Sequence, residues 1–159
     1  MAETATEVRI RPVDELDIGD IAAIDEKIGG RYRPEVWEKR VFYYIRRDPE
    51  ASYVAEADGR VVGFMLGEVR SGDFGMEEPT GWVEVLGVDP DQRGQAVGRR
   101  LAEAMLSHFR QLGAVRVNTL VDDRMPQIES FFRALGFAPA PLKALALELG
   151  GEPAAGGDA

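Results

Sequence analysis

Residues 81–113 constrain this chain more than any other stretch. An apolar run at 82–88 meets an Asp89-Pro90 turn, then a short basic loop with glycines, then a long amphipathic run that Gly113 ends. That order predicts strand, turn, loop and helix. The loop delivers the chain to a helix start, where free backbone N–H groups and the helix dipole favour an anion. Helix starts usually carry Asp, Glu or Ser; this one carries Arg93, Arg99 and Arg100. Each cation there costs a few tenths to ~1 kcal/mol, and a phosphate-type anion would offset that cost. Gly94 and Gly98 would let the backbone approach it closely. The competing reading pairs the arginines with Asp89, Asp91 and Glu103. The loop has neither Walker spacing nor the dinucleotide-binding glycine pattern.

The rest of the chain reads as a frame around that unit. Val8, Ile10 and Pro12 alternate with charged residues, a short first strand. Leu16, Ile21, Ile24 and Ile28 are spaced for one helix face, stopped by Gly29-Gly30. Pro34 opens a second helix whose apolar face is Trp37, Val41, Tyr44 and Ile45. Residues 52–57 and 60–70 read as strands joined at Asp58-Gly59, a strong hairpin signal. After the organising stretch come a strand at 115–121, a helix from Pro126 to about Leu135, and two final strands at 137–140 and 143–149. The expected fold is α+β: a mixed, mostly antiparallel sheet of about seven strands flanked by about four helices. One domain is expected over 7–149, with a flexible 1–6 and a disordered tail at 150–159.

Composition narrows the function. The chain has 159 residues and a net charge of −9, against nucleic-acid or anionic-membrane binding. It has no cysteine and one histidine, His108, which removes thiolate catalysis, Cys-based zinc sites and a multi-His metal centre. No metal is expected. No apolar run approaches a membrane span, so a cytoplasmic protein is the default, with a homodimer left open.

The run Val88-Asp-Pro-Asp-Gln-Arg-Gly-Gln-Ala-Val-Gly-Arg-Arg-Leu resembles the acyl-CoA motif of the GNAT superfamily of N-acetyltransferases, Gln/Arg-x-x-Gly-x-Gly/Ala. Arg93 and Gly98 match its ends; Ala96 departs from its first glycine. Residues 131–137, Phe-Phe-Arg-Ala-Leu-Gly-Phe, resemble a second element of the family, Phe-Tyr-x-x-Leu-Gly-Phe. The resemblance covers about 7–149. It implies acetyl-CoA as acyl donor. The pyrophosphate would be held by Arg93, Gly94, Gln95, Ala96, Val97, Gly98 and Arg99. The pantetheine arm would lie along Leu86, Gly87 and Val88 in a slot where the sheet splays, with Gly87 the expected bulge.

Acetyl transfer to an amine needs a proton acceptor. Glu84 stands in an apolar strand, and alternation would put Trp82, Glu84 and Leu86 on one face. Burial there raises a carboxylate's pKa, as a general base requires. Glu68 is the alternative base and a candidate, with Arg31 and Tyr32, for the acceptor side. The family's thiol-protonating tyrosine would fall at 132, where this chain has Phe132; Tyr32, Tyr43, Tyr44 and Tyr53 are the tyrosines available. The reading is an N-acetyltransferase acting on a primary amine of a protein or small molecule. A non-catalytic acyl-CoA-binding module and a domain for another phosphate compound are the alternatives.

Overall fold

A computed structural model describes residues 7–92 and 96–150. The expectations for both termini, and for Arg93, Gly94 and Gln95, lie outside the described residues.

Among the described residues, five strands form one sheet in chain order: β1 (Arg9–Pro12), β2 (Tyr53–Ala57), β3 (Arg60–Arg70), β4 (Thr80–Val88) and β5 (Arg116–Thr119). The first three pairings are antiparallel and β4–β5 is parallel. The β2–β3 hairpin turns at Asp58 (φ 53°) and Gly59 (φ 72°), the double positive φ that Asp-Gly favours. Four helices among the described residues cover the sheet: α1 (Ile18–Gly29), α2 (Pro34–Arg47), α3 (Val97–Gln111) and α4 (Pro126–Ala134).

Alternation along the strands divides the core. Ala55 and Met65 pack in one cluster with Val97, Leu101, Met105 and Phe109 of α3. Their neighbours Val54, Phe64 and Leu66 pack in a second cluster with α1 and α2, around Ile21, Trp37 and Val41. The sheet is therefore sandwiched, and β3, buried for most of its length, reads as a near-continuous apolar run.

Three expectations need correction. Residues 137–149 form no strand, so the sheet has five strands rather than seven. Pro139 and Pro141 remove two backbone donors from that stretch, and Leu145, Leu147 and Leu149 beyond them stand exposed. Leu16 is 89% exposed, because it sits in a 3-10 turn before α1 rather than on its face. The bulge in β4 falls at Glu84, not Gly87. Leu66 faces Val85 and Gly67 faces Val83, which leaves Glu84 as the extra residue.

Candidate active site

The bulge builds the site. On either side of it, Val83 and Leu86 pack toward α3 while Val85 packs toward α1 and α2. Glu84 and Val85 thus share a face, and Leu86 does not join Glu84 as strict alternation predicts. Gly67 opposite the bulge must be glycine, since a Cβ would lie 2.2 Å from the Trp82 carbonyl oxygen. Its backbone is tied instead by buried Ser52, whose Oγ accepts from Gly67 N–H at 3.0 Å.

The pairing of β4 with β5 runs only from Thr80 to Val83. Residues 86–88 stay paired to β3 on one side, and on the other they line a cavity of about 750 Å³. Its far wall is α4, through Ile128 and Phe131, with Met125 just before it; Ala96, Val97, Gly98 and Arg99 close one end, and Lys27 and Ile28 of α1 flank it. That volume suits a sizeable ligand. Ala96 adopts the left-handed φ of 59°, and α3 has no acidic residue in its first turn and no side-chain cap. The first intrahelical bond is Arg100 N–H to the Ala96 carbonyl, so the N–H groups of Val97, Gly98 and Arg99 precede the ladder. Gly98 lets α4 approach: a Cβ would stand 3.0 Å from the Phe131 ring.

The charges divide more finely than residue type suggests. Asp89 is buried and accepts from Lys27 at 3.0 Å and Arg60 at 3.3 Å. Burial pushes its carboxyl up, but the Asp91 N–H and Lys27 outweigh that and hold it below its ordinary pKa. Arg100 turns away to donate to the Val8 carbonyl at 2.7 Å. Arg99 stays at the cavity, 3.7 Å from Glu103.

On the α2 side of the bulge lies an acidic cluster. Glu68 is 2% exposed. It accepts from Tyr43 Oη at 2.8 Å, Arg47 Nε at 2.7 Å and Arg70 at 3.2 Å. Burial would raise its pKa; the hydrogen bonds from Tyr43 and Arg47 prevail and lower it. Glu84 accepts from Arg70 at 2.8 Å. Glu84 is open to solvent rather than enclosed, and its pKa is raised by partial desolvation and then by Glu68, against the opposing charge of Arg70. Arg70 also binds Asp73 and lies 4.8 Å over the Trp82 ring. The buried Tyr44 hydroxyl is pushed up by burial and by both carboxylates. Of the two carboxylates, Glu84 has the raised proton affinity and Glu68, held by three donors, the lowered one.

Arg31 and Tyr32 stand in the exposed connection between α1 and α2, and no described contact joins them to this cluster. Phe132 is 3% exposed and stacks edge-on with Phe131 and Phe137. It belongs to the core, while its neighbour Phe131 faces the cavity. Sequence reasoning missed Lys27, Arg47 and Arg70 at these sites; nothing local marks them, since each arrives from a different element. Among the described residues no group of acids and histidines is arranged to hold a metal, and no helix is long and apolar enough to cross a membrane.

Similarity to known proteins agrees with this geometry. The mycothiol acetyltransferase of Thermobispora bispora is 38% identical over 90 residues, 57% of this chain and 30% of that protein. That of Saccharomonospora viridis is 42% identical over 95 residues, with the same shares. The chain thus spans about 30% of the length of these relatives. Among solved structures, the aminoglycoside N-acetyltransferase AAC(6')-Iy in complex with CoA matches with a TM-score of 0.79 at 16% identity, over 94% of this chain and 99% of that one. Ard1 from Thermoplasma volcanium matches with a TM-score of 0.70 at 24% identity, over 82% of each chain. The Acetyltransferase (GNAT) family model matches residues 20–137. Splayed strand, uncapped helix start and matched span coincide, and the chain belongs to the GNAT acetyltransferase family.

Proposed function

We propose that the protein is an acetyl-CoA-dependent N-acetyltransferase acting on a primary amine of a small molecule, with Glu84 as general base. The observation that carries this reading is the position of Glu84. It is the bulged residue directly after Val83, where β4 parts from β5, and its pKa is raised.

The cavity fits the donor. An open strand edge at Leu86, Gly87 and Val88 suits an amide-rich arm by strand addition. The start of α3, with Arg99 and Lys27 beside it, suits phosphates. Arg93, Gly94, Gln95 and Ala96 complete the assignment from the motif. When bound, acetyl-CoA supplies the activated acetyl group. This chain's residues hold it in the slot, bring the amine to the opposite side of β4, and take the amine's proton on the Glu84 carboxylate, directly or through water. The amine is assigned to the side of β4 that carries Glu84 and Glu68, whose carboxylates are shared with Arg70, and Arg31 and Tyr32 are assigned to its outer margin. A small-molecule acceptor is supported by the names of the relatives and neighbours, mycothiol and aminoglycoside acetyltransferases. Action in the cytoplasm belongs to the same reading.

Incubation with acetyl-CoA and a panel of amines should release CoA thiol, and Glu84→Gln should slow release by about 10²-fold. Equal turnover by the variant across pH removes Glu84 as base. CoA-induced thermal stabilisation with no acceptor turned over would instead identify an acyl-CoA-binding module.

A further inference from the structure

The loop between β3 and β4 holds one residue against its backbone preference. Phe74 adopts φ 54° and ψ 31°, a left-handed conformation disfavoured for a bulky side chain. The loop fixes it there. Gly72 N–H donates to the Met76 carbonyl at 2.7 Å, Met76 N–H donates to the Asp73 carbonyl at 2.9 Å, and Arg70 binds Asp73. Burial does not explain the placement, because Phe74 is 73% exposed. Single exposed aromatics are ordinary; one held exposed on strained backbone points to use.

The ring has a defined neighbour. It lies 5.9 Å from the Trp82 ring, tilted by 52°. Trp82 is itself buried, and its indole N–H has no acceptor among the described residues. Arg70 lies 4.8 Å from the same indole and donates to Glu84 at 2.8 Å. Phe74, Trp82, Arg70 and Glu84 thus stand in series, from an open aromatic face to the carboxylate assigned as base. A cover for Trp82 alone would call for a buried side chain on unstrained backbone. Phe74 instead turns most of its surface to solvent, beside the residues assigned to the amine.

We propose that Phe74 selects the acceptor: its outward ring stacks on the flat apolar body of the incoming amine, so the preferred acceptors are primary amines carried a few carbons from an aromatic ring. The acceptor's ring rests on Phe74 while its amine reaches Glu84. An aliphatic amine of similar hydrophobicity reaches Glu84 without the stacking contact. The assignment rests on the reading that the amine enters on the Glu84 side of β4, and it deepens that reading by naming the class of amine.

Steady-state acetylation of phenethylamine and of hexylamine by the full chain tests this. The parent should favour phenethylamine in kcat/KM by about fivefold, the scale of one aromatic stacking contact, and mostly through KM. Phe74→Asn should abolish that preference and Phe74→Tyr should keep it. Asparagine tolerates left-handed backbone, so the Phe74→Asn chain should melt at or above the parent temperature. A purely structural Phe74 would not separate stability from selectivity in this way. A preference that survives in Phe74→Asn overturns the proposal, as does a parent that acetylates both amines equally well. Calorimetric binding of phenethylamine to the CoA-saturated chain reads the same contact without turnover. Binding should weaken about fivefold in Phe74→Asn and persist in Glu84→Gln. A parent that binds in this pattern yet acetylates neither amine would overturn Glu84-based transfer to an amine while leaving the Phe74 site standing. A parent that binds no phenethylamine at millimolar concentration would remove the site itself.

Discussion

Glu68 and Glu84 share a cluster and the same arginine, yet their proton affinities are pushed apart. Three donors hold Glu68 ionised, while partial desolvation and the nearby charge of Glu68 make Glu84 harder to ionise. The sign for activity follows. A base must be deprotonated, so turnover should fall as pH drops through the raised pKa of Glu84. The acid limb of the kcat/KM profile should therefore lie above that of an ordinary glutamate and be lost in Glu84→Gln. Arg70→Met, which removes the cation opposing that shift, should move the limb to still higher pH; a limb that moves down would contradict the assignment. Glu84 was legible in the sequence because a lone acid in an apolar run is conspicuous. Arg70, Arg47 and Tyr43 were not, because no local pattern says that they converge on one carboxylate.

At the scale of elements, the strand–loop–helix unit, the Asp58-Gly59 hairpin and the helix faces were readable because each follows from nearby residues. The bulge was not, since it is a mismatch of count between two strands. The last two expected strands failed for a related reason. Alternating leucines specify a strand, but pairing needs a neighbour, and that lies outside the local pattern. Asp89 holds another junction: its buried carboxylate ties the end of α1 and the start of β3 to the turn after β4. Asp89→Ala should lower stability in urea unfolding by about 2–3 kcal/mol, the scale of lost hydrogen bonds to a buried charge. Asp91→Ala, at a largely exposed carboxylate, should be close to neutral in the same experiment.

Across the whole molecule, the large cavity lies between β4 with α1 on one side and the start of α3 with α4 on the other. A ligand bound there bridges both parts. Saturating CoA at a hundred times its dissociation constant should add about 2.7 kcal/mol to unfolding. Amide exchange should slow at residues 86–88 and at the start of α3, and stay unchanged along β1. Protection confined elsewhere would place CoA in another site. The opening itself depends on one residue. Val83 and Leu86 look toward α3, with two residues rather than one or three between them and both turned the other way. Shorten β4 by its bulged residue and the register with β3 becomes regular, the local bend relaxes, and β4 is free to run on beside β5. The smallest edit that could close this fold's slot is thus a three-nucleotide deletion, and it would remove the proposed base in the same stroke.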